Sequence, residues 1–275
     1  MEPRTIFRSP ALRVLDVRCR SPRQGAGAER GGEPAHLALL RRGAFTYHLG
    51  LRAWVGDANT ALLHRAGAAY RVGHPAEGGD EVTLLEPSPA LLDELFPDPA
   101  RVAWPTSPRA QLAHLRLHRA LSADGDDALA AEEAALELLA EVTRPGVAAP
   151  APSPRERRRV EAVKARLGAA LDRNLPLSEV AAAERCSPFH LMRTFRAGTG
   201  LSVRGYRRQL RVRAALAALA EGERDLAALA VRLGFSHHAH LTGACRALLG
   251  APPSRLRALL APGARSWKRE APGRG

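Results

Sequence analysis

The C-terminal third of the chain contains a run in which arginines and large apolar side chains recur at helical spacing. Phe189, Met192, Arg193 and Arg196 stand at positions i, i+3, i+4 and i+7, which places them on one face of a helix. Arginine can donate two hydrogen bonds to guanine, and phenylalanine or methionine can pack on thymine methyl groups. We predict base contacts from Phe189, Met192 and Arg193 and a phosphate contact from Arg196. The alternatives are that the two apolar residues form core and that Arg193 is merely solvated.

A second run of this kind lies about fifty residues downstream. His238, Ala239, His240 and Thr242 fall on or near one side of a predicted helix, and imidazole and hydroxyl groups can hydrogen-bond bases or phosphates. We predict base contacts from these four residues and a phosphate contact from Arg246. A metal site among the neighbouring histidines is rejected, because side chains two apart on a helix point apart and no cysteine or carboxylate joins them.

Both runs lie in the second helix of a helix–turn–helix pattern that occurs twice. The first unit spans 177–206 and the second spans 226–256, and Ser187 in the first matches Ser236 in the second at an offset of 49 residues. Ser187 and Pro188 supply an N-cap and a proline at the first helical position. Two such units predict a protein that contacts successive major grooves, about 34 Å apart.

A predicted helix from Gly205 to Leu219 joins the two units. Five arginines lie at or near its start, and we expect some to contact phosphates and others to be ordinary exposed charges. Arg207 and Arg208 are the predicted phosphate contacts. The five are Arg204, Arg207, Arg208, Arg211 and Arg213.

The net charge of +13 is concentrated in one half of the chain. Residues 1–150 contain 17 Arg, no Lys and 19 acidic residues, whereas residues 151–275 contain 24 Arg and Lys against 9 acidic residues. A compositional preference for arginine would not remove acidic residues from one half alone. The second half is therefore predicted to bind a polyanion, namely double-stranded DNA.

Other classes of protein are disfavoured by the cysteines and by the hydropathy pattern. Cys19, Cys186 and Cys245 are too few and too scattered for a disulfide framework or a zinc ribbon. The segment from Met1 to Asp16 lacks a continuous apolar stretch, and charged residues interrupt every longer apolar segment. We predict a cytoplasmic protein that does not associate with membranes.

The first hundred residues contain short apolar runs separated by glycine- and aspartate-rich turns, which is typical of a small sandwich or barrel. The runs are 37–40, 44–49, 61–64 and 81–85. Two helical patterns follow, at 107–121 and 128–142, and form either a dimer surface or a cover over an open sheet face. We predict an α+β protein with an N-terminal β-barrel and helical hairpin and a C-terminal all-α domain.

We divide the chain into an N-terminal domain at 1–143, a linker at 144–154, a DNA-binding domain at 155–260 and a flexible tail at 261–275. The linker contains four prolines. It is expected to be semi-extended and mobile, so that the two halves can reorient.

The region from Leu177 to Leu256 resembles the DNA-binding domain of the AraC/XylS family of bacterial transcription regulators. The N-terminal half resembles, more weakly, the cupin-like sensor domain often fused to it. The residues that carry this weaker resemblance are Arg41-Arg42-Gly43-Ala44-Phe45, His48, Tyr70-Arg71-Val72, His74-Pro75 and Gly79-Asp80. The residues that carry the first resemblance are Ser187, Pro188, Leu191, Arg193, Phe195, Arg196, Gly200, Leu201, Ser202, Tyr206, Gly234, Phe235, Ser236, His240, Leu241, Arg246, Gly250 and Pro253.

This resemblance implies two helix–turn–helix motifs in one chain, asymmetric promoter half-sites and activation more often than repression. It also implies that a small-molecule effector frequently binds in the N-terminal domain. We further expect a homodimer joined through that domain and RNA polymerase as a partner. The chain departs from the family pattern at Gly243 and Cys245, where the family usually has arginine and a core phenylalanine, and at Leu256, where it has tyrosine. We therefore expect the second unit to be less stable and less base-specific than the first.

No catalytic residue, metal or cofactor is predicted for the N-terminal domain. Metal-dependent cupins need closely spaced histidines, whereas His36, His48, His64 and His74 stand singly. No phosphate-binding loop or nucleophile elbow is present. The aromatic residues of this half either line a ligand cavity or fill the core. They are Phe45, Tyr47, Trp54 and Tyr70.

An alternative function remains open. The N-terminal domain could be a cupin enzyme or a methyl-acceptor repair domain that uses the basic half as a DNA tether. The repair function needs a reactive cysteine within a cysteine cluster, and Cys19 stands alone in the sequence.

Overall fold

A computed structural model describes residues 3–75, 78–121, 128–144 and 153–260. Strands dominate the first 105 residues and helices the remainder, which confirms the α+β class. The strands are β1 (Arg4–Arg8), β2 (Leu12–Cys19), β3 (His36–Arg42), β4 (Phe45–Leu49), β5 (Arg52–Gly56), β6 (Thr60–His64), β7 (Arg71–Gly73), β8 (Asp80–Pro87) and β9 (Ala103–Pro105). The helices are α1 (Pro89–Leu95), α2 (Pro108–Ala120), α3 (Ala128–Thr143), α4 (Pro154–Ala169), α5 (Leu177–Ala183), α6 (Pro188–Thr199), α7 (Val203–Ala220), α8 (Leu226–Arg232), α9 (His238–Leu249) and α10 (Pro253–Leu260).

The N-terminal domain consists of two antiparallel sheets. Six strands pair in the order β1-β2-β8-β3-β6-β9, and three pair in the order β5-β4-β7. Side chains alternate between the two faces of each strand, and one set forms a buried cluster that includes Val17 and Leu40 of the larger sheet and Phe45 and Tyr47 of the smaller. The two sheets therefore share one core.

The four predicted apolar runs coincide with β3, β4, β6 and β8. Strand β2 lies between β1 and β8 and pairs with β8 along its whole length, from Leu12 opposite Pro87 to Cys19 opposite Asp80. Apolar runs alone do not predict β2, because charged residues interrupt it at every second or third position.

Helices α2 and α3 cover the other face of the six-stranded sheet. Leu138 and Leu139 of α3 belong to the same buried cluster as Leu37 and Leu85 of the sheet. The hairpin of α2 and α3 therefore covers an open face of the sheet, which was one of the two alternatives predicted for it. Helix α2 also reaches the C-terminal domain, because its Leu115 is part of the core of the second unit.

The C-terminal domain contains the two predicted helix–turn–helix units, α5 with α6 and α8 with α9, joined by α7. Ser187 begins α6 by accepting a hydrogen bond from the backbone N–H of His190. Gly200 ends α6 and Gly250 ends α9, each in the left-handed conformation that glycine adopts without strain. The local signals in the sequence therefore fix both ends of the first recognition helix.

Most of the predicted linker and the whole predicted tail lie outside the described residues. No helix in the described ranges is both long enough and apolar enough to cross a membrane.

Candidate nucleic-acid interface

Helix α6 presents an outer face made of the side chains predicted to contact bases. Phe189 is 70% exposed and Met192 is 43% exposed, and Arg193 and Arg196 are also exposed. The structure therefore excludes the alternative that the two apolar residues belong to the core. Large apolar side chains beside arginines on a solvated face are suited to contacts with the base edges of a major groove.

The opposite face of α6 anchors the helix. Phe195 is fully buried and meets Tyr206 of α7 edge to face, with ring centroids 5.3 Å apart. Val160 of α4 packs closely against Gly198, where an added Cβ atom would lie 3.0 Å from a valine methyl group. These contacts hold the outer face of α6 in a fixed orientation.

Helix α9 presents smaller side chains. His238, Ala239 and His240 are exposed and Thr242 is partly exposed. All three polar residues of this set have a polar neighbour within the unit: Thr242 Oγ1 lies 3.3 Å from His238 Nε2, and Ser236 Oγ lies 3.0 Å from His240 Nδ1. Base contacts from these residues would have to replace or share the intramolecular contacts.

The second unit has one additional residue between Ser236 and Leu241, so the outer faces of the two recognition helices align at an offset of fifty residues rather than 49. Gly243 is the α9 equivalent of Arg193, so α9 has no long hydrogen-bond-donating side chain at this position. Among the four equivalent positions of α9, Arg246 alone carries a long charged side chain. The equivalent pairs are Phe189 and Ala239, Met192 and Thr242, Arg193 and Gly243, and Arg196 and Arg246.

The predicted phosphate contacts differ in their accessibility. Arg196, Arg208 and Arg246 are exposed. Arg207 is partly buried and donates a hydrogen bond of 3.1 Å to the carbonyl oxygen of Leu175. Burial and the neighbouring arginine at position 204 lower the pKa of Arg207.

Two other arginines of α7 are buried, contrary to the expectation that all five are solvated or contact phosphates. Arg211 donates to the carbonyl oxygens of Leu171 and Gly234 at 2.7 Å each, so it joins the turn of the second unit to the loop before the first. Gly234 has a positive φ, and a Cβ atom there would lie 2.3 Å from the guanidinium of Arg211. Arg213 donates to the carbonyl oxygen of Thr106 in the N-terminal domain. Both arginines are buried and donate to backbone carbonyl oxygens of the protein itself, so we assign them a structural role.

A buried polar interface joins the N-terminal domain to the first unit. The Tyr206 hydroxyl donates to the carboxylate of Asp57 at 2.5 Å, and the Lys164 ammonium donates to the carbonyl oxygen of Val55 at 2.7 Å. The Glu161 carboxylate accepts from the backbone N–H of Val55 at 2.7 Å. Reorientation of the two halves, which the linker was expected to permit, would have to break these hydrogen bonds.

The N-terminal domain contains a cavity of about 440 Å³ between its sheets that is partly open to solvent. Tyr47 and Tyr70 stack with centroids 5.2 Å apart, and the Tyr47 hydroxyl lies 3.0 Å from Nδ1 of His64. Burial, reinforced by His36, lowers the pKa of His64 to about 4, so that this imidazole is neutral. His64 Nε2 and Glu33 Oε2 are buried without a hydrogen-bond partner among the described residues.

Three of the four aromatic residues considered for a ligand cavity line this one, namely Phe45, Tyr47 and Tyr70. Trp54 lines a different cavity, next to α4. The histidines of this half stand far apart in the sequence, whose spacing does not exclude a site assembled by the fold, and the rings of His36 and His64 are 4.8 Å apart. Strand pairing brings them together, because His36 and His64 are opposite each other in β3 and β6.

Residues 180–258 match a family model described as a helix-turn-helix domain. The match begins in α5, ends in α10 and includes both recognition helices. Residues 180–258 form an AraC-type helix-turn-helix domain. Because it contains this AraC-type domain, the chain is a DNA-binding transcription regulator.

Solved structures with similar folds include ToxT from Vibrio cholerae, which is 10% identical over 93% of this chain and 100% of that chain, with a TM-score of 0.38. The C-terminal domain of AraT, a response regulator from Geobacillus stearothermophilus, is 21% identical over 44% of this chain and 94% of that chain, with a TM-score of 0.34. The DNA-binding domain of AdpA, in complex with a target DNA, is 27% identical over 36% of this chain and 90% of that chain, with a TM-score of 0.35. No curated protein sequence matches the chain.

Proposed function

We propose that the AraC-type domain binds promoter DNA sequence-specifically by inserting α6 and α9 into successive major grooves. The observation that carries this proposal is the outer face of α6, where exposed Phe189 and Met192 flank Arg193. Arg193 is proposed to contact a guanine, and the two apolar residues to contact thymine methyl groups. Helix α9 adds contacts from His238, Ala239, His240 and Thr242. The proposed phosphate contacts are Arg196, Arg207, Arg208 and Arg246.

Selection of binding sites from random duplex DNA, followed by titration at several salt concentrations, tests this proposal. We expect one preferred site whose length covers two major grooves. Arg208→Ala should weaken binding to preferred and unrelated DNA equally and reduce the salt dependence by about one counterion, because it removes a phosphate contact. Selection that yields no preferred sequence would contradict the proposal.

The cavity of the N-terminal domain is proposed to hold a small-molecule effector. Its aromatic walls suit an apolar or aromatic body, and the neutral His64 and the Glu33 carboxylate offer acceptors for an N–H or O–H group. Native mass spectrometry of the protein purified from its own host should detect a bound small molecule. The variant Ala38→Phe, whose larger side chain narrows the cavity, should not retain that molecule. An equal complement of bound molecule in both proteins would contradict this assignment.

Strand β6 gives the cavity a physical connection to the DNA-binding domain. Its His64 lines the cavity, and the Thr60 hydroxyl at its other end lies 3.4 Å from the Tyr206 hydroxyl. Tyr206 in turn packs on Phe195 of α6. We propose that effector binding changes DNA affinity by shifting β6 against Tyr206. Thr60→Val should keep effector and DNA binding but reduce the coupling between them, measured as the ratio of DNA affinities with and without effector.

Further properties belong to the same proposal. The protein acts in the cytoplasm and forms a homodimer through its N-terminal domain. It activates transcription by RNA polymerase and is not an enzyme. Helix α3 offers a surface for the dimer, because Leu129 is 67% exposed and Leu136 is 38% exposed. Light scattering should give the mass of a dimer for the parent chain and the mass of a monomer for Leu129→Glu.

In vitro transcription from the selected site should increase with added protein, and a decrease would identify a repressor.

A further inference from the structure

The fold brings together a thiol, an imidazole and a carboxylate that are far apart in the sequence. Cys19 ends β2 and is directly opposite Asp80, which begins β8. His74 follows β7, and its backbone is fixed by two hydrogen bonds to Gln24, of 2.9 and 3.0 Å. One donor atom from each of Cys19, His74 and Asp80 lies within 4.8 Å of the other two, and all three residues are buried.

Glycine makes the close approach of these strands possible. Gly79 has a φ of +72°, and a Cβ atom there would lie 1.8 Å from the carbonyl oxygen of Cys19. Gly43 packs against the same turn, since a Cβ atom there would lie 2.3 Å from the carbonyl oxygen of Gly79. The tight backbone packing keeps Asp80 beside Cys19.

The three groups contact one another in a row. Cys19 Sγ is within hydrogen-bond distance of His74 Nε2, at 3.5 Å, and of Ser21 Oγ, at 2.9 Å. His74 Nδ1 pairs with Asp80 Oδ2 at 2.8 Å. A buried carboxylate is costly unless its charge is compensated, and a divalent cation bound by the three groups would compensate it.

We propose that Cys19, His74 and Asp80 form a binding site for a divalent transition-metal ion of the zinc type. Thiolate, imidazole and carboxylate are the three ligand classes that bind zinc, whereas magnesium and calcium require oxygen ligands alone. Ligand atoms around a tetrahedral zinc ion are about 3.3–3.8 Å apart, whereas the three donor atoms lie within 4.8 Å of one another. Cys19 faces Nε2 of His74 and Asp80 faces Nδ1, so the imidazole or the carboxylate has to turn until one ring nitrogen, the thiolate and the carboxylate meet the ion.

The site has an open side. His74 and Asp80 also line the cavity between the sheets. Three protein ligands leave one position of a tetrahedral ion for water or for another donor that enters from the cavity. The site differs from the closely spaced histidines of metal-dependent cupins, because β2, β7 and β8 bring together residues that are far apart in the sequence.

Titration of the chelator-treated full chain with cobalt(II), used as a probe for zinc, tests the proposal. We expect one equivalent to bind with a thiolate-to-cobalt charge-transfer absorption band, and zinc to displace it. Cys19→Ser should abolish this band, and Asp80→Asn should weaken binding at least tenfold. Cys186→Ser is the matched control, since it removes a more exposed thiol outside the cluster, and it should bind as the parent chain does.

The exposed histidines at 237, 238 and 240 could bind cobalt adventitiously, but imidazoles alone give no thiolate band. Binding without that band, or equal bands in Cys19→Ser and Cys186→Ser, would overturn the proposal. A second measurement covers the case in which Cys19→Ser does not fold. One equivalent of zinc should protect Cys19 of the parent chain from alkylation, mapped by peptide mass spectrometry, while Cys186 reacts as before. Equal alkylation of Cys19 with and without zinc would also overturn it.

Discussion

The two helix–turn–helix units have nearly the same backbone and differ in what their side chains offer. Helices α6 and α9 are both 12 residues long and both end at a left-handed glycine. The outer face of α6 carries two large apolar residues and two arginines, whereas the equivalent face of α9 carries alanine, threonine, glycine and one arginine. From this difference we predict that the first unit determines which DNA sequence is bound and that the second unit mainly adds affinity.

The units also differ in how they are held. The first has an aromatic pair, Phe195 and Tyr206, in its own core. The second has Cys245 and Leu256 at the equivalent positions, and Leu115 of α2 packs into the same core. The N-terminal domain thus supports the second unit through apolar contact and the first through hydrogen bonds. The weaker internal packing of the second unit is partly offset by a neighbouring domain.

The largest difference between the units should appear when their core residues are truncated. Phe195→Ala should destabilise the first unit by about 3–5 kcal/mol, and Cys245→Ala should destabilise the second by about 1 kcal/mol. Hydrogen–deuterium exchange of peptides from each unit measures the two effects separately. Phe189→Ala is the matched control, because this exposed phenylalanine of the same helix should leave exchange unchanged. Equal losses of stability in the two units would contradict the proposed difference in their core packing.

The polar contact of the first unit should be worth less than its aromatic core. Tyr206→Phe removes the hydroxyl that donates to the Asp57 carboxylate and should cost about 1.5–3 kcal/mol, because the acceptor is charged and buried. Faster exchange is expected in both the β5–β6 turn and the start of α7. Tyr47→Phe, which removes a hydroxyl inside the N-terminal domain, should leave α7 unaffected. If the two variants alter α7 equally, Tyr206 does not join the domains.

The smallest effect concerns the glycine of α9. A Cβ atom at Gly243 would meet no other atom within 4 Å, and alanine is a better helix former than glycine. Gly243→Ala should therefore stabilise the second unit by about 0.5–1 kcal/mol. Gly198→Ala, the same change in α6, should instead destabilise the first unit, because Val160 occupies that space. Stabilisation of both units would show that packing against α4 does not distinguish them.

The helix–turn–helix domain was predictable from the sequence because its caps, turns and apolar spacing are local. The exposed positions of Phe189 and Met192 followed from the same spacing. The burial of Arg213 was missed, although it lies three residues after Leu210 and four before Ala217, on the buried stripe of α7. The neighbours of Cys19 and the pairing of His36 with His64 depend on strand register between distant segments. Spacing in one sequence carries no information about such pairs.

The most direct test of the central claim compares Arg193→Ala with Thr242→Ala on the selected promoter site and on a scrambled duplex. If the first unit determines the sequence, Arg193→Ala should reduce the ratio of the two affinities by about 10–100-fold, to near that of non-specific binding. Thr242→Ala should change the same ratio by less than about tenfold. A large loss of discrimination in Thr242→Ala with little change in Arg193→Ala would contradict the account.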